Sequence, residues 1–278
     1  ILWLCGMPIF DSIITAMGGA GTGGFAVYND SIAHYHSDLI TYVVTVGTLL
    51  FGVNFNLYFY ILLRKIKFFF QDEELRTYFA IVAISTGLII LNIFGIYHNL
   101  ADSFKYSFFE VSTIITTTGF GLTDITKWPL FSQYILLLLM FIGGSAGSTA
   151  GGFKVIRAKI ARNQPLASLY PNRILSLHIN GSVLDKETQH SVLKYLAVYV
   201  LIILSLVTVL SLDNQDLLIV TSAAASTFNN IGPLLGTTDS FAIFSPLSKL
   251  IMGFAMIAGR LEIYPLLLLF LPKTWSKT

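Results

Sequence analysis

Gly-Thr-Gly-Gly-Phe at residues 21–25, Thr-Thr-Thr-Gly-Phe at 116–120 and Phe-Asn-Asn-Ile-Gly-Pro at 228–233 decide the fold of this chain. Each polar, glycine-containing turn follows a stretch rich in Ser, Thr and Ala and precedes a long apolar segment. Beside membrane-spanning helices, irregular polar backbone is tolerated only where it is buried in protein or lines a water-filled cavity. Repeated around an axis, such turns form a pore whose carbonyl oxygens replace the water around an ion. The pattern therefore predicts an ion conductor.

The composition places the chain in a lipid bilayer. Hydrophobic residues make up 54% and charged residues 12% of the sequence, and the mean hydropathy is +0.72. Soluble domains carry about 25% charged residues. A net charge of +2 gives no basic footprint for nucleic acid, and the single cysteine excludes a disulfide framework. The chain begins at Ile1 inside a membrane segment, so we expect further polypeptide to precede it.

Long runs with few charges predict five membrane spans, since about 20 residues are needed to cross the hydrocarbon core. These spans are residues 39–63, 77–101, 128–153, 195–212 and 245–271. Three shorter segments, at 11–20, 104–116 and 213–227, precede the glycine turns and fit half-helices that enter the membrane and turn back. We therefore expect an all-α polytopic membrane protein.

The loops alternate in charge, which predicts the orientation of the chain. Basic residues concentrate at 64–76 and 154–173, whereas the loops that carry the glycine turns are poor in Lys and Arg. Basic loops are retained on the cytoplasmic side. The glycine turns are therefore expected to open outward, and each half-helix to enter from outside.

The three turns and the segment Gly-Gly-Ser-Ala-Gly-Ser-Thr-Ala-Gly-Gly-Phe-Lys at 143–154 resemble the Trk/Ktr/HKT superfamily of potassium transporters, and most closely its bacterial TrkH-type membrane subunits. The resemblance runs along essentially the whole chain. It implies repeated helix–pore-loop–helix units around a central pore, with four units in one polypeptide. Residues 1–76 then form a truncated second unit, 77–189 the third and 190–278 the fourth. The first unit is absent from this chain.

The resemblance places one glycine of each unit in a selectivity filter that binds potassium. Glycine can direct its carbonyl toward a central axis because it reaches backbone angles that other residues avoid. The neighbouring residues would supply further carbonyl oxygens. The filter residues are Thr22, Gly23, Gly24, Thr117, Thr118, Gly119, Asn230, Ile231 and Gly232. The alternative is that these glycines form tight turns or small-residue contacts between helices.

A glycine-rich segment interrupts the span at 128–153. Each glycine in a helix interior costs roughly 1 kcal/mol relative to alanine, so the helix is expected to unwind there. The resemblance implies an intramembrane loop below the filter that gates the pore. Its residues are Gly143, Gly144, Ser145, Ala146, Gly147, Ser148, Thr149, Ala150, Gly151 and Gly152. A close-packed glycine face between helices is the alternative.

Arg260 lies about halfway along the last predicted span. An arginine at this depth costs about 2.5–3.5 kcal/mol on insertion scales and must face a cavity or a partner. The resemblance implies that it projects into the pore near the gating loop as an electrostatic barrier to cations. A structural ion pair between helices is the alternative, although Glu262, two residues away, does not share its helix face.

These features predict a potassium-uptake protein with a channel-like pore, rather than an enzyme. By resemblance it works as a homodimer in the bacterial inner membrane, surrounded by lipid. A cytosolic ring of nucleotide-binding, TrkA-like regulatory subunits would bind its basic loops. Potassium is the transported ion, and neither a covalent cofactor nor nucleic acid is expected. A sodium-conducting or sodium-coupled (symport) member of the superfamily, a non-conducting scaffold and an intramembrane enzyme remain as alternatives.

Overall fold

The computed structural model describes residues 1–169 and 178–261. This part of the chain is helical, as predicted, apart from loops and one short hairpin. The α-helices are α1 (Ile9–Ala20), α2 (Asp38–Phe51), α3 (Phe55–Leu62), α4 (Ile66–Gln71), α5 (Glu73–Tyr97), α6 (Leu100–Ile115), α7 (Leu130–Ile142), α8 (Val155–Leu169), α9 (Lys186–Leu210), α10 (Leu217–Phe228) and α11 (Pro246–Arg260). Short 3-10 turns occur at Trp3–Cys5, Ser31–Tyr35, Ile125–Lys127, Ser211–Asp213 and Phe241–Ile243. Strands β1 (His178–Ile179) and β2 (Ser182–Val183) pair antiparallel.

The three predicted half-helices are present as α1, α6 and α10, and each ends where a glycine turn begins. The last one starts at Leu217 rather than at residue 213. The preceding Ser211–Asp213 forms a 3-10 turn, and Asn214 adopts a left-handed conformation with φ +55° that interrupts the helical path.

Two helices in the described residues are long and apolar enough to cross a membrane: Glu73–Tyr97, and α9 extended through Asp213. A third span is formed if α2 and α3 are counted together. Of the other predicted spans, α7 has 13 residues before the glycine-rich segment, and α11 has 15 residues, ending at Arg260. Residues 262–271 of the last predicted span lie outside the described residues.

The prediction of one continuous span over residues 39–63 is wrong. Helices α2 and α3 meet at an angle of 94°. At the break, the Gly52 carbonyl accepts a 3.0 Å hydrogen bond from the Ser145 N–H, and the Phe55 N–H donates a 3.0 Å bond to the Gly147 carbonyl. Because these bonds satisfy backbone groups that a straight helix would pair internally, the chain can bend here inside the protein.

The half-helices are enclosed by longer helices. Helix α6 packs against α2, α5 and α7, and α10 packs against α7, α9 and α11. The hydrophobic cluster around α6 includes the fully buried Tyr78, Ile89 and Leu136. The cluster around α10 includes the buried Leu210 and Ala224. Helix α7 contacts both α6 and α10, so it fixes the second and third glycine turns relative to each other.

Gly52 is required at the bend for space rather than for backbone freedom. Its φ of −76° suits any residue, but an added Cβ would lie 2.6 Å from the Tyr78 hydroxyl and 2.7 Å from the Thr116 methyl group. We expect Gly52→Ala to destabilise the fold by about 1–3 kcal/mol, the usual range for overpacking a buried site. The measurement is the melting temperature in detergent. Gly47→Ala in α2, where a Cβ meets nothing within 4 Å, is the matched control, and an equal effect of both changes would contradict the interpretation.

Candidate ion pathway

The three glycine turns repeat one backbone geometry. The amide of the middle residue of each turn donates to a carbonyl five residues earlier: Gly23 to Gly18, Thr118 to Thr113 and Ile231 to Ser226, each at 2.8 Å. The residue before it has a left-handed φ, namely +49° at Thr22, +55° at Thr117 and +57° at Asn230. The residue after it is a glycine with positive φ, namely +63° at Gly24, +79° at Gly119 and +111° at Gly232. The nine residues predicted as a filter therefore occupy equivalent backbone positions in the three turns, and their role stays a prediction.

The turns lie side by side in chain order. A Cβ placed on Gly24 would lie 2.0 Å from the Thr118 carbonyl oxygen, and one placed on Gly119 would lie 1.8 Å from the Ile231 carbonyl oxygen. A Cβ on Gly232 meets nothing within 4 Å of the described atoms. Gly24 and Gly119 thus each contact the carbonyl-bearing backbone of the next turn. This close approach requires the absence of a side chain.

The glycine-rich segment is a non-helical loop, as predicted. Helix α7 ends at Ile142, and α8 begins at Val155. The two ends of the loop are joined by the Lys154 N–H, which donates to the Ile142 carbonyl at 2.8 Å, and the Phe153 N–H, which donates to the Phe141 carbonyl at 3.2 Å. The loop therefore leaves α7 and returns almost to the same point.

The loop touches all three glycine turns. The Thr22 hydroxyl donates to the Thr149 carbonyl at 2.8 Å, and the Gly151 N–H donates to the Thr117 hydroxyl at 2.7 Å. A Cβ on Gly151 would lie 2.3 Å from the Asn229 carbonyl oxygen, which precedes the third turn. The second half of the loop is thus packed directly against the turns.

Arg260 at the end of α11 joins the loop to the first turn. Its Nη1 donates to the Thr149 carbonyl at 3.0 Å, and its Nη2 donates to the Gly21 carbonyl at 3.4 Å. Both acceptors are backbone carbonyls rather than carboxylates. Glu262, which the sequence placed off this face, lies outside the described residues.

The sequence model described as "TrkH: Cation transport protein" matches residues 3–277. The chain belongs to the TrkH family. The predicted family resemblance is therefore confirmed, and this family transports cations rather than catalysing reactions, as predicted.

Known TrkH relatives cover nearly all of the chain. It is 34% identical to the Trk system potassium uptake protein TrkH of Salmonella typhimurium, over 99% of this chain and 59% of that protein. It is 34% identical to TrkG of Escherichia coli K12, over 98% of this chain and 58% of that protein. The crystal structure of the potassium transporter TrkH from Vibrio parahaemolyticus superposes with a TM-score of 0.91 at 31% identity, over 99% of this chain and 61% of that one. The chain thus spans about three fifths of the length of these relatives.

Asn229 is a site residue that the motif contained but the sequence did not assign. This residue is 2% exposed, and its side chain donates to the Met140 carbonyl at 2.9 Å and hydrogen-bonds the Tyr199 hydroxyl. The Tyr199 hydroxyl also donates to the Phe141 carbonyl at 3.2 Å. The third turn is therefore tied to the end of α7, immediately before the glycine-rich loop begins.

Two buried carboxyl groups near the site were also missed. Glu74 of α5 accepts a 2.7 Å hydrogen bond from the Ala146 N–H within the loop. Glu110 of α6 is fully buried, and its carboxyl lies near the backbone amides of Leu122 and Thr123, which follow the second turn. The sequence did carry a signal for both residues, which is an acidic side chain inside an otherwise apolar or hydroxyl-rich helix. Acidic side chains are rarely buried without a partner.

The segment after the second turn is held by Asp124. The Thr126 hydroxyl donates to this carboxylate at 2.5 Å and the Thr126 N–H at 3.1 Å, and Lys127 lies 3.4 Å away. The hydroxyl bond is the main cause that keeps the pKa of Asp124 below its usual range, because it favours the charged form. In the described residues no group of three or more His, Cys, Asp or Glu side chains could hold a metal ion.

Proposed function

We propose that this chain forms three of the walls of a potassium-selective pore that carries K⁺ passively across the bacterial inner membrane. The observation that carries the proposal is the close packing of three equivalent turns, in which Gly24 and Gly119 each abut the carbonyl of the next turn. Uncharged carbonyls can replace the hydration shell of K⁺ and still release the ion. The open side of Gly232 is where a fourth turn, supplied by the rest of the protein, would complete the ring.

The filter is assigned to Thr22, Gly23, Gly24, Thr117, Thr118, Gly119, Asn230, Ile231 and Gly232, with K⁺ as the bound and transported ion. Support comes from the relatives, several of which are named as potassium uptake proteins. The units at 1–76, 77–189 and 190–278 each contribute one turn to this filter.

Gating is assigned to loop residues 143–152 together with Arg260. The loop lies against every turn, and Arg260 places a positive charge beside the carbonyls of Thr149 and Gly21. A fixed positive charge on the ion path raises the barrier to a cation. Opening then requires the loop or the arginine to move away.

Assembly follows from the same family. A homodimer within the lipid bilayer would bind a cytosolic ring of nucleotide-binding, TrkA-like regulatory subunits through the basic loops at 64–76 and 154–173. The relatives are named as members of a Trk system, which supports a protein of several components. Nucleotide would act on the ring rather than on this chain.

The test is ion flux into proteoliposomes that contain the full-length protein, under separate K⁺ and Na⁺ gradients. We expect K⁺ flux to exceed both Na⁺ flux and the flux into protein-free vesicles. Equal K⁺ and Na⁺ flux, or K⁺ flux that requires Na⁺, would favour a sodium-conducting or sodium-coupled transporter. No flux of either ion would favour the non-conducting scaffold.

A further inference from the structure

Glu74 binds the first half of the glycine-rich loop, whereas the glycine turns contact its second half. It lies in the first turn of α5, is 6% exposed, and accepts a 2.7 Å hydrogen bond from the Ala146 N–H. Its carboxyl also lies near the Ile156 amide and the Lys154 side chain, which follow the loop. The carboxyl therefore binds the first half of the loop and lies beside the residues that follow its second half.

The two halves of the loop face different partners. Residues 145–147 are held by Gly52, Phe55 and Glu74, whereas Thr149 and Gly151 contact the turns and Arg260. Thr149 follows Ala146 by only three positions, a stretch that spans at most roughly 10 Å of chain. A shift of the loop at Ala146 is therefore transmitted to the carbonyl that Arg260 binds.

Burying a carboxyl group costs folding free energy unless its oxygens accept hydrogen bonds. The position of the carboxyl is therefore coupled to the positions of its donors. The Ala146 N–H has no helical partner, because the loop is not helical. Glu74 satisfies this amide, and the amide in turn satisfies Glu74. Loss of the carboxyl oxygen removes one of the three contacts that hold the first half of the loop, and the bonds to Gly52 and Phe55 remain.

The residues before Glu74 link it to the side of the protein expected to face the cytosol. Asp72 accepts a 2.7 Å hydrogen bond from the Asn180 side chain. The Glu73 N–H donates to the Asn180 side-chain oxygen at 2.8 Å, and the Asn180 N–H donates to the Glu73 carboxylate at 3.2 Å. Lys159 of α8 binds the same carboxylate at 2.5 Å. The start of α5 is thus fastened to the β1–β2 hairpin and to α8.

Asn180 occupies the tip of that hairpin. It has φ +51° and is followed by Gly181 with φ +78°, the two-residue turn that Asn-Gly favours. This two-residue turn presents the Asn180 side chain and amide on the same residue, so one position makes all three contacts with Asp72 and Glu73.

We propose that Glu74 is a positioning residue that holds the glycine-rich loop beneath the filter, and that hairpin 178–183 sets its position through Asp72 and Glu73. The inference rests on the proposed gating role of the loop. A displacement of the hairpin on the cytosolic side would pull the start of α5, and Glu74 would carry the movement to Ala146.

The test compares K⁺ flux in proteoliposomes of the full-length wild type and Glu74→Gln. Glutamine keeps the size of the side chain and one acceptor oxygen, so it can accept from the Ala146 N–H or the Ile156 N–H but not from both. We expect K⁺ flux to rise by up to about tenfold, the factor for losing one such hydrogen bond, with an unchanged K⁺/Na⁺ ratio because the turns are untouched. Glu187→Gln, an exposed acid in the first turn of α9, is the matched control and should leave flux unchanged.

Two further variants test whether the hairpin and Arg260 act on the same loop as Glu74. Asn180→Ala, at an exposed position, should raise flux in the same direction but less. Combined with Arg260→Gln, Glu74→Gln should be less than additive, since both act on one loop. Unchanged or lowered flux in the folded Glu74 and Asn180 variants, or a lost K⁺/Na⁺ preference, would overturn the proposal.

The position of the loop can also be measured by thiol labelling, which does not depend on ion flux. In a Cys5→Ser background, a thiol reagent should label Ser148→Cys faster when Glu74→Gln is present, and equal labelling rates would overturn the proposal. If the wild type conducts no K⁺ but labelling accelerates, the proposed function fails while the anchoring by Glu74 stands. If the wild type conducts K⁺ and neither flux nor labelling responds, only the role of Glu74 fails.

Discussion

Gly119→Ala should abolish K⁺-selective flux. The new Cβ would lie 1.8 Å from the Ile231 carbonyl oxygen, so the second and third turns must separate. In addition, φ +79° is left-handed, which costs a non-glycine residue roughly 1–2 kcal/mol. We expect K⁺ flux through the full-length protein to fall by at least about tenfold, which corresponds to 1.4 kcal/mol, and the residual flux to lose its preference for K⁺ over Na⁺.

The control for this change is Gly87→Ala, which adds the same methyl group in α5, where a Cβ meets nothing within 4 Å. An alanine in a helix interior is favourable by about 1 kcal/mol relative to glycine, so this variant should fold and conduct as the wild type does. Both proteins are measured under K⁺ and Na⁺ gradients in the same vesicles. Retained K⁺ selectivity in folded Gly119→Ala would show that this turn is not the filter.

Arg260→Gln should raise K⁺ flux while selectivity stays unchanged. The guanidinium binds the carbonyls of Thr149 and Gly21, and it places a full positive charge beside the loop and the first turn. At about 4 Å, one unit charge repels another by roughly 1–4 kcal/mol, depending on how well water screens the pair. Removing it should therefore increase flux by about tenfold or more. Glutamine can still donate to one carbonyl, so the change tests charge rather than loss of every contact.

Lys249→Gln is the matched control on the same helix. Its ammonium donates to the Ala242 carbonyl at 3.1 Å and is exposed, well away in sequence from the loop. It removes one positive charge from α11 without touching Thr149 or Gly21. Equal flux in wild type and folded Arg260→Gln would contradict a barrier role and leave the arginine as a brace between the loop and the first turn.

The positions of the three glycine turns could be predicted from the sequence because their backbone requirement is local. A backbone that turns after a short helix needs a left-handed residue, and Gly24, Gly119 and Gly232 supply it within their own segments. The break after Ile142 was predictable for the same reason, since glycine-rich sequence disfavours helix wherever it occurs.

The bend between α2 and α3 could not be predicted from residues 39–63, whose apolar character fits a straight span. Its partners, Ser145 and Gly147, lie about 90 residues further along the chain. The contact of Glu74 could not be predicted for the same reason, because its donor, the Ala146 N–H, is distant along the chain. In contrast, Asn180-Gly181 carried a hairpin signal, but nothing local indicated that its contacts would be Asp72 and Glu73.

By itself, the sequence determined the helical membrane class, the half-helices, the three glycine turns and the glycine-rich break. These depend on hydropathy and backbone preference, which act within about 20 residues. It took the tertiary structure to show that Gly24 and Gly119 abut the next turn's carbonyl, that the loop reaches all three turns, and that Glu74 and Arg260 hold it from different helices. Hydrogen bonds and close contacts join groups that are adjacent in space, and their spacing along the chain does not reveal which groups will meet.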